Sequence, residues 1–279
     1  TLMTYFKFLY SFCYKPFWAD TVKAKGIFFE NNQNRYAKQT EYKYYISPNG
    51  YFYSNRLAFF LENAHSIDDI IHRLETYFDE FIIDEVQDIA GHDFNFLEKL
   101  MSAKMNMLFV GDFYQHTFDT SRDGTVNKNL FSDKSAYEAR FTAKGFKSDA
   151  ATLLSSWRCS QSVCSYIDVN LGINISSNRT QEDDTKIYVI NEIEEKNRIL
   201  TDNSIVKLHY QNSAKYGIGH RNWGETKGED HYQDVCILLN KTTAAKFSSG
   251  KLTELPPSTK NKLYVAITRA RGNVYFINE

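Results

Sequence analysis

Phe81-Ile82-Ile83-Asp84-Glu85-Val86-Gln87-Asp88 decides how the rest of this chain is read. Three apolar residues lead straight into a stretch that holds Asp84, Glu85, Gln87 and Asp88. A short continuous apolar run of this kind predicts a strand buried on both faces. Carboxylates at the end of such a strand stand where α/β proteins bind ligands. On that reading Asp84 holds a magnesium ion on the phosphates of a nucleotide, and Glu85 takes a proton from the attacking water. The plain alternative is a strand that ends in a solvated acidic turn. These residues alone do not choose between the two.

A second apolar run, Met107-Leu108-Phe109-Val110, is followed by Gly111-Asp112-Phe113-Tyr114-Gln115. Near the C-terminus the chain reads Tyr264-Val265-Ala266-Ile267-Thr268-Arg269-Ala270-Arg271. D-E-V-Q-D, then G-D-x-x-Q, then V-A-I-T-R-A-R resembles, as an ordered trio, the UvrD/Rep-like DNA helicases of superfamily 1. The resemblance runs from about residue 60 to the end and is looser before it. It implies an α/β fold of two RecA-like lobes with central parallel sheets, the first lobe incomplete at its N-terminus. It also implies a DNA-dependent ATPase that uses ATP and Mg2+, with the nucleotide in the cleft between the lobes.

The resemblance carries roles to particular positions. Asp84 matches the magnesium ligand and Glu85 the general base. Gln115 matches the glutamine that senses the γ-phosphate and relays its presence to the DNA side. Leu154-Ser155-Ser156-Trp157-Arg158-Cys159-Ser160 resembles the family's L-x-x-N-Y-R-S, so Arg158 matches one arginine that reaches the γ-phosphate and Arg269 the other. A guanidinium is permanently charged and offers forked donors, which suits phosphate oxygens. Thr226-Lys227-Gly228-Glu229-Asp230 resembles the K-G-L-E-F loop, in which an acid binds the ribose and the loop touches DNA. The spacing to the next strand is one residue longer than usual, so either Glu229 or Asp230 is the ribose partner, and Thr226 faces DNA. Thr4 and Tyr5 loosely match a DNA-backbone segment. The plain reading there is a helix packed by its aromatics. Phe118 either stacks on a base or belongs to the core, because the tryptophan usual in that stretch is missing. Single-strand binders gain roughly 1–3 kcal/mol from each such stack.

Hydrophobic periodicity supplies the rest of the organisation. Ile67, Ile70, Ile71, Leu74 and Phe78 follow the helical period, and Ser66 is placed to cap them. A short helix through Phe94, Leu97 and Met101 precedes the Met107 strand. Pro48-Asn49-Gly50 predicts a hairpin within a Tyr-rich insertion near 35–57. The polar stretch 120–147, with Asp123-Gly124, reads as a loop and linker between a first lobe at 1–148 and a second at 149–279. In the second lobe a helix is expected through Val163, Tyr166, Ile167 and Asn170. Strands are expected at 186–190, 205–209, 235–239 and 274–277. A helix capped by Ser258 or Thr259 is expected to carry Arg269, with Leu263, Ala266, Ile267 and Ala270 as its apolar face.

Composition bounds the function. The net charge of −1 leaves no global basic footprint, so a nucleic-acid site must be a local groove. The 19 Tyr and 21 Phe serve the core first and base stacking second. Cys13, Cys159, Cys164 and Cys236 form no C-x-x-C pair, which fits free thiols in a cytoplasmic protein. No apolar run approaches the roughly 20 residues that span a bilayer. No G-x-x-x-x-G-K-[ST] phosphate loop occurs in the chain, so it is expected upstream of Thr1. Single-stranded DNA is the implied partner, with a nuclease or another repair or phage-defence subunit as a second class. The competing reading is a non-hydrolysing scaffold that binds DNA or a protein partner.

Overall fold

The computed structural model describes residues 1–30, 32, 36–122, 124–179 and 184–278. Arg35 and Asp123 lie outside them. The chain forms two compact units, one of residues 1–112 and 119–148, the other of residues 113–118 and 149–279.

The first unit is built on aromatic packing. Residues 5–22 wind continuously, α-helical over Tyr5–Lys7, in the wider π form over Phe8–Tyr14, and α-helical again over Lys15–Val22. Phe8, Leu9, Phe12, Cys13 and Tyr14 are buried against Leu57, Leu61, Ile70, Leu74, Phe96 and Leu100. Those partners come from the helices Ser54–Asn63, Ile67–Tyr77 and Gly91–Leu100. Each fully buried Leu, Ile or Phe contributes roughly 1.5–3 kcal/mol of apolar burial. The aromatic excess of this half of the chain is therefore largely core. Ser66 does not cap its helix; its hydroxyl accepts the indole N–H of Trp18 at 2.6 Å instead.

The Tyr-rich stretch differs from the expected hairpin. Strand β1 (Ile27–Phe28) pairs in parallel with β2 (Phe52–Tyr53), and Tyr42–Tyr45 is a helical turn. The turn at Pro48-Asn49-Gly50 does form, but only a single antiparallel bridge, Ile46 to Phe52, closes it. The Phe52 N–H donates its ladder hydrogen bond to the Gly26 carbonyl at 2.9 Å, on the β1 side rather than across the turn.

Strands β3 (Glu80–Ile83) and β4 (Asn106–Phe109) pair in parallel, Ile82 opposite Leu108. Among the described residues this sheet has two strands, so β3 is not central. Nor is it buried on both faces. Side chains alternate across a strand: Phe81 packs toward the aromatic core, while Ile82 and Leu108 remain 57% and 55% exposed.

The stretch read as a linker holds the helix Lys134–Thr142, a part of the first unit. Asp133 caps it by accepting the Ala136 N–H at 2.7 Å. Phe141 meets Phe94 and Phe109, and Tyr137 is buried. Polarity misleads here, because two aromatics four residues apart suffice to anchor one helical face.

The second unit contains a short pair, β5 (Ser155–Ser156) with β6 (Ser176–Ser177), and a five-stranded, all-parallel sheet. The sheet's strands are β7 (Ile187–Ile190), β8 (Val206–His209), β9 (His220–Asn222), β10 (Val235–Leu239) and β11 (Val274–Asn278), in the order β7-β11-β10-β8-β9. All five residues of β10 are buried, as expected for a strand covered on both faces. The helix Gln161–Leu171 starts at Ser160, whose hydroxyl accepts the Val163 N–H, and stops at Gly172 in the left-handed region. The helix Pro257–Ile267 packs Leu263, Ala266 and Ile267 on the sheet's Val235, Ile237 and Phe276. Pro256 precedes it and Pro257 opens it, so neither Ser258 nor Thr259 caps it. Both expected classes of element, parallel strands and covering helices, are present, and the fold is α/β.

Candidate nucleotide-hydrolysis site

In the first unit, β3 delivers Asp84 and Glu85 to the C-terminal end of the parallel pair. Asp84 is exposed, and one of its oxygens accepts the Glu85 N–H at 2.9 Å. Glu85 has φ 55° and ψ 41°, a left-handed backbone in a residue other than glycine. Such conformations cost roughly 1–3 kcal/mol and collect at functional sites. The bend turns the chain into the short 3-10 turn Val86–Asp88. There the Val86 N–H reaches the Val110 carbonyl at the end of β4, at 3.0 Å. Among the described residues no group of three or more His, Cys, Asp or Glu side chains is placed to hold a metal. Magnesium is usually held by one or two carboxylates, with phosphates and water completing the shell, and Asp84 is the exposed carboxylate at this strand end.

Gln87, for which the motif reading names no role, is wholly buried. Its amide donates to the Glu85 carboxylate and accepts the Asp112 N–H at 3.1 Å. A Cβ on Gly111 would lie 2.2 Å from that amide oxygen, which is why glycine stands there.

The second unit gathers arginines. The turn Thr226–Glu229 is closed by the Glu229 N–H on the Thr226 carbonyl at 3.0 Å. Lys227 (φ −55°, ψ 133°) and Gly228 (φ 80°) give it type II geometry, which requires glycine at its third position. Arg269 follows the helix Pro257–Ile267 rather than lying on it, and it is 2% exposed. Its guanidinium donates to the carbonyls of Val265 (3.1 Å), Thr226 (3.4 Å) and Glu229 (3.1 Å), and to the Thr268 hydroxyl (3.3 Å). Burial, and then the neighbouring Arg158, lower its pKa to about 10, so it stays charged at neutral pH. The expectation of an arginine on a free helix face is corrected: Arg269 fastens the 226–229 turn to the helix end.

Arg158 is three-quarters buried by side chain, pairs with Asp230, and donates to the Thr268 carbonyl at 3.2 Å. Arg271 donates to the Asp230 carboxylate at 2.8 Å and to its backbone carbonyl at 2.9 Å. Arg179 donates to the carbonyls of Arg158 (3.1 Å) and Arg271 (2.6 Å). Hydrogen bonding from Arg158, with Arg271 adding to it, holds the Asp230 carboxyl below the usual carboxylate range. Of the two ribose candidates, Asp230 is thus engaged by two arginines, and Glu229 accepts the Tyr232 hydroxyl. Arg271 could have been found as the last residue of the T-R-A-R motif; Arg179 carries no sequence signal.

Gln115 sits in the short turn Phe113–Gln115, which belongs to the second unit. Buried Asn261 donates to the carbonyls of Phe113 (3.5 Å) and His116 (3.3 Å), and the Thr117 hydroxyl donates to the Gly224 carbonyl at 3.1 Å. Phe118 is 55% exposed and Trp157 is 80% exposed, so neither is core. Thr226 is wholly buried with its hydroxyl on the Trp223 carbonyl, which removes its side chain from any DNA surface. The Tyr5 hydroxyl is buried beside Asp93, so it too is turned away from a ligand. Thr4 is exposed and caps its own helix through the Lys7 N–H at 3.4 Å. Cys13, Cys159, Cys164 and Cys236 are all free and buried. Among the described residues no helix is long and apolar enough to cross a membrane.

Residues 61–278 match the family described as the viral superfamily 1 RNA helicase core domain, and the chain belongs to that family. Its membership places it among superfamily 1 helicases, without placing it in the UvrD/Rep-like branch. A solved structure titled "The structure of PRRSV helicase" is similar at 17% identity and a TM-score of 0.44, over 71% of this chain and 34% of that one. This chain therefore spans about a third of that protein. No curated protein matches.

Proposed function

We propose that the intact protein is an ATP- and Mg2+-dependent motor on single-stranded nucleic acid. The observation that carries this reading is the pair Asp84 and Glu85 at the C-terminal end of a parallel strand, with Glu85 oriented by a buried amide. Asp84 would hold the cation, which would supply positive charge to the phosphates of the nucleotide. Glu85 accepts the proton of the attacking water. By the motif resemblance Arg158 is the candidate partner of the γ-phosphate, Gln115 relays its presence, and the turn with Lys227, Gly228, Glu229 and Asp230, which Arg269 holds to the helix end, meets the sugar side of the nucleotide. The exposed rings of Phe118 and Trp157 are free faces for stacking.

RNA is the first strand to test, because the matching family is described as RNA helicases. The order of D-E-V-Q-D, G-D-x-x-Q and V-A-I-T-R-A-R, which resembles the UvrD/Rep-like enzymes, makes single-stranded DNA the second. Steady-state ATPase of the intact protein with each strand decides the substrate. In Glu85→Gln, ATP binding should persist while turnover falls roughly 10²–10⁴-fold. Unchanged turnover would remove Glu85 as the base. Nucleic-acid binding by a wild-type protein that never hydrolyses ATP would favour the scaffold reading.

A further inference from the structure

Gln87 stands between two loops that the proposed chemistry needs. It is completely buried, yet its side chain is the direct neighbour of the carboxylate that would accept the proton. The orientation of the amide is fixed by its partners. A backbone N–H can only donate, so the end facing Asp112 is the oxygen and the end facing Glu85 is the NH2 group. Gly111 leaves the space this requires, since any side chain there would collide with the amide oxygen. Glu85 itself sits on a left-handed backbone that other contacts must hold.

We propose that Gln87 is the positioning residue for the general base, locking the Glu85 carboxylate to the Gly111-Asp112 turn at the end of the neighbouring strand. The inference rests on Glu85 being that base. Gln87 touches no reacting atom; it fixes which oxygen of Glu85 faces the water. A carboxylate freed to rotate loses that aim, and misplacement on this scale costs roughly 10²-fold in rate.

Three variants of the intact protein test this, each checked by thermal melting. Gln87→Leu removes both hydrogen bonds. Gln87→Glu keeps an acceptor for the Asp112 N–H but replaces the donor with a second carboxylate. Gln87→Leu placed in a Glu85→Gln background asks whether the effect passes through Glu85. Both single variants should lose kcat by roughly 10²-fold while KM for ATP changes little. In the Glu85→Gln background the same leucine should cost almost nothing more, because residues that act as a unit are not additive. A folded Gln87→Leu or Gln87→Glu protein with wild-type kcat would overturn the proposal. So would a full multiplicative loss in the Glu85→Gln background, which marks a purely structural role. If Gln87→Leu does not fold, the isosteric glutamate variant decides alone. Wild-type turnover in Glu85→Gln itself would instead sink the assignment of the base.

Discussion

At the scale of single residues, the first unit buries ionisable and polar side chains among its apolar ones. Asp93 is the clearest case. It lies in the first turn of the helix Gly91–Leu100, wholly buried, with both carboxyl oxygens lacking a well-formed hydrogen bond. The hydroxyls of Thr120 and Tyr5 stand beside it, and Glu62 adds negative charge nearby. Burial pushes its pKa up to about 7, with Glu62 adding and the two hydroxyls opposing. An unfolded chain releases this proton near pH 3.9. The folded chain therefore binds more protons between about pH 4 and 7, and stability falls as pH rises through that window. Above it the penalty is constant, on the order of a few kcal/mol. Asp93→Asn carries no charge at any pH and should abolish this slope. Chemical denaturation of both proteins at pH 5 and pH 8 should show the variant gaining on wild type at the higher pH. An equal difference at the two pH values would mean that Asp93 is not protonated in the folded chain.

At the scale of elements, capping and aromatic anchoring decide what polarity hides. Asp133→Ala should cost roughly 0.5–2 kcal/mol, because the first turn of Lys134–Thr142 loses its side-chain acceptor. Urea denaturation reads this directly, and a loss restricted to lower helicity without a shift in midpoint would show the helix to be uncoupled from its unit. The strands of the second unit were legible because a parallel strand covered on both sides is written as an unbroken apolar run, as in Val235–Leu239. The same rule misread Glu80–Ile83, whose outer face stays open: three apolar residues look alike whether one face is covered or two. Ser66 and Ser258 misled for a related reason. A cap is a local signal, and Trp18 in one case and Pro257 in the other took the position over. The strand-end position of Asp84 and Glu85 was legible from the apolar run before them, whereas Arg269, expected on the helix, follows it. The buried guanidinium of Arg269, the strut at Gln87 and the arrival of Arg179 depend on contacts distant in sequence, which no periodicity encodes.

At the scale of the whole molecule, the division into two units passes through a single motif. Gly111 and Asp112 belong to the first unit and are held by Gln87, whereas Phe113–Phe118 belongs to the second. Gln115 thus follows Asp112 by three residues in sequence but is fastened to the helix that leads into Arg269. Buried Asn261 makes that attachment, donating to two carbonyls that flank Gln115. Asn261→Ala removes both donors and leaves the carbonyls to find other partners, at a cost of roughly 1–3 kcal/mol each where they stay dry. If Gln115 relays the γ-phosphate to the nucleic-acid side, freeing its turn should weaken the relay more than the chemistry. Stimulation of ATPase by single-stranded RNA or DNA should then fall several-fold, with unstimulated turnover little changed. A folded Asn261→Ala protein whose stimulation equals that of the wild type would show that the turn needs no such anchor. An equal loss of stimulated and unstimulated turnover would place Asn261 in the hydrolytic step instead.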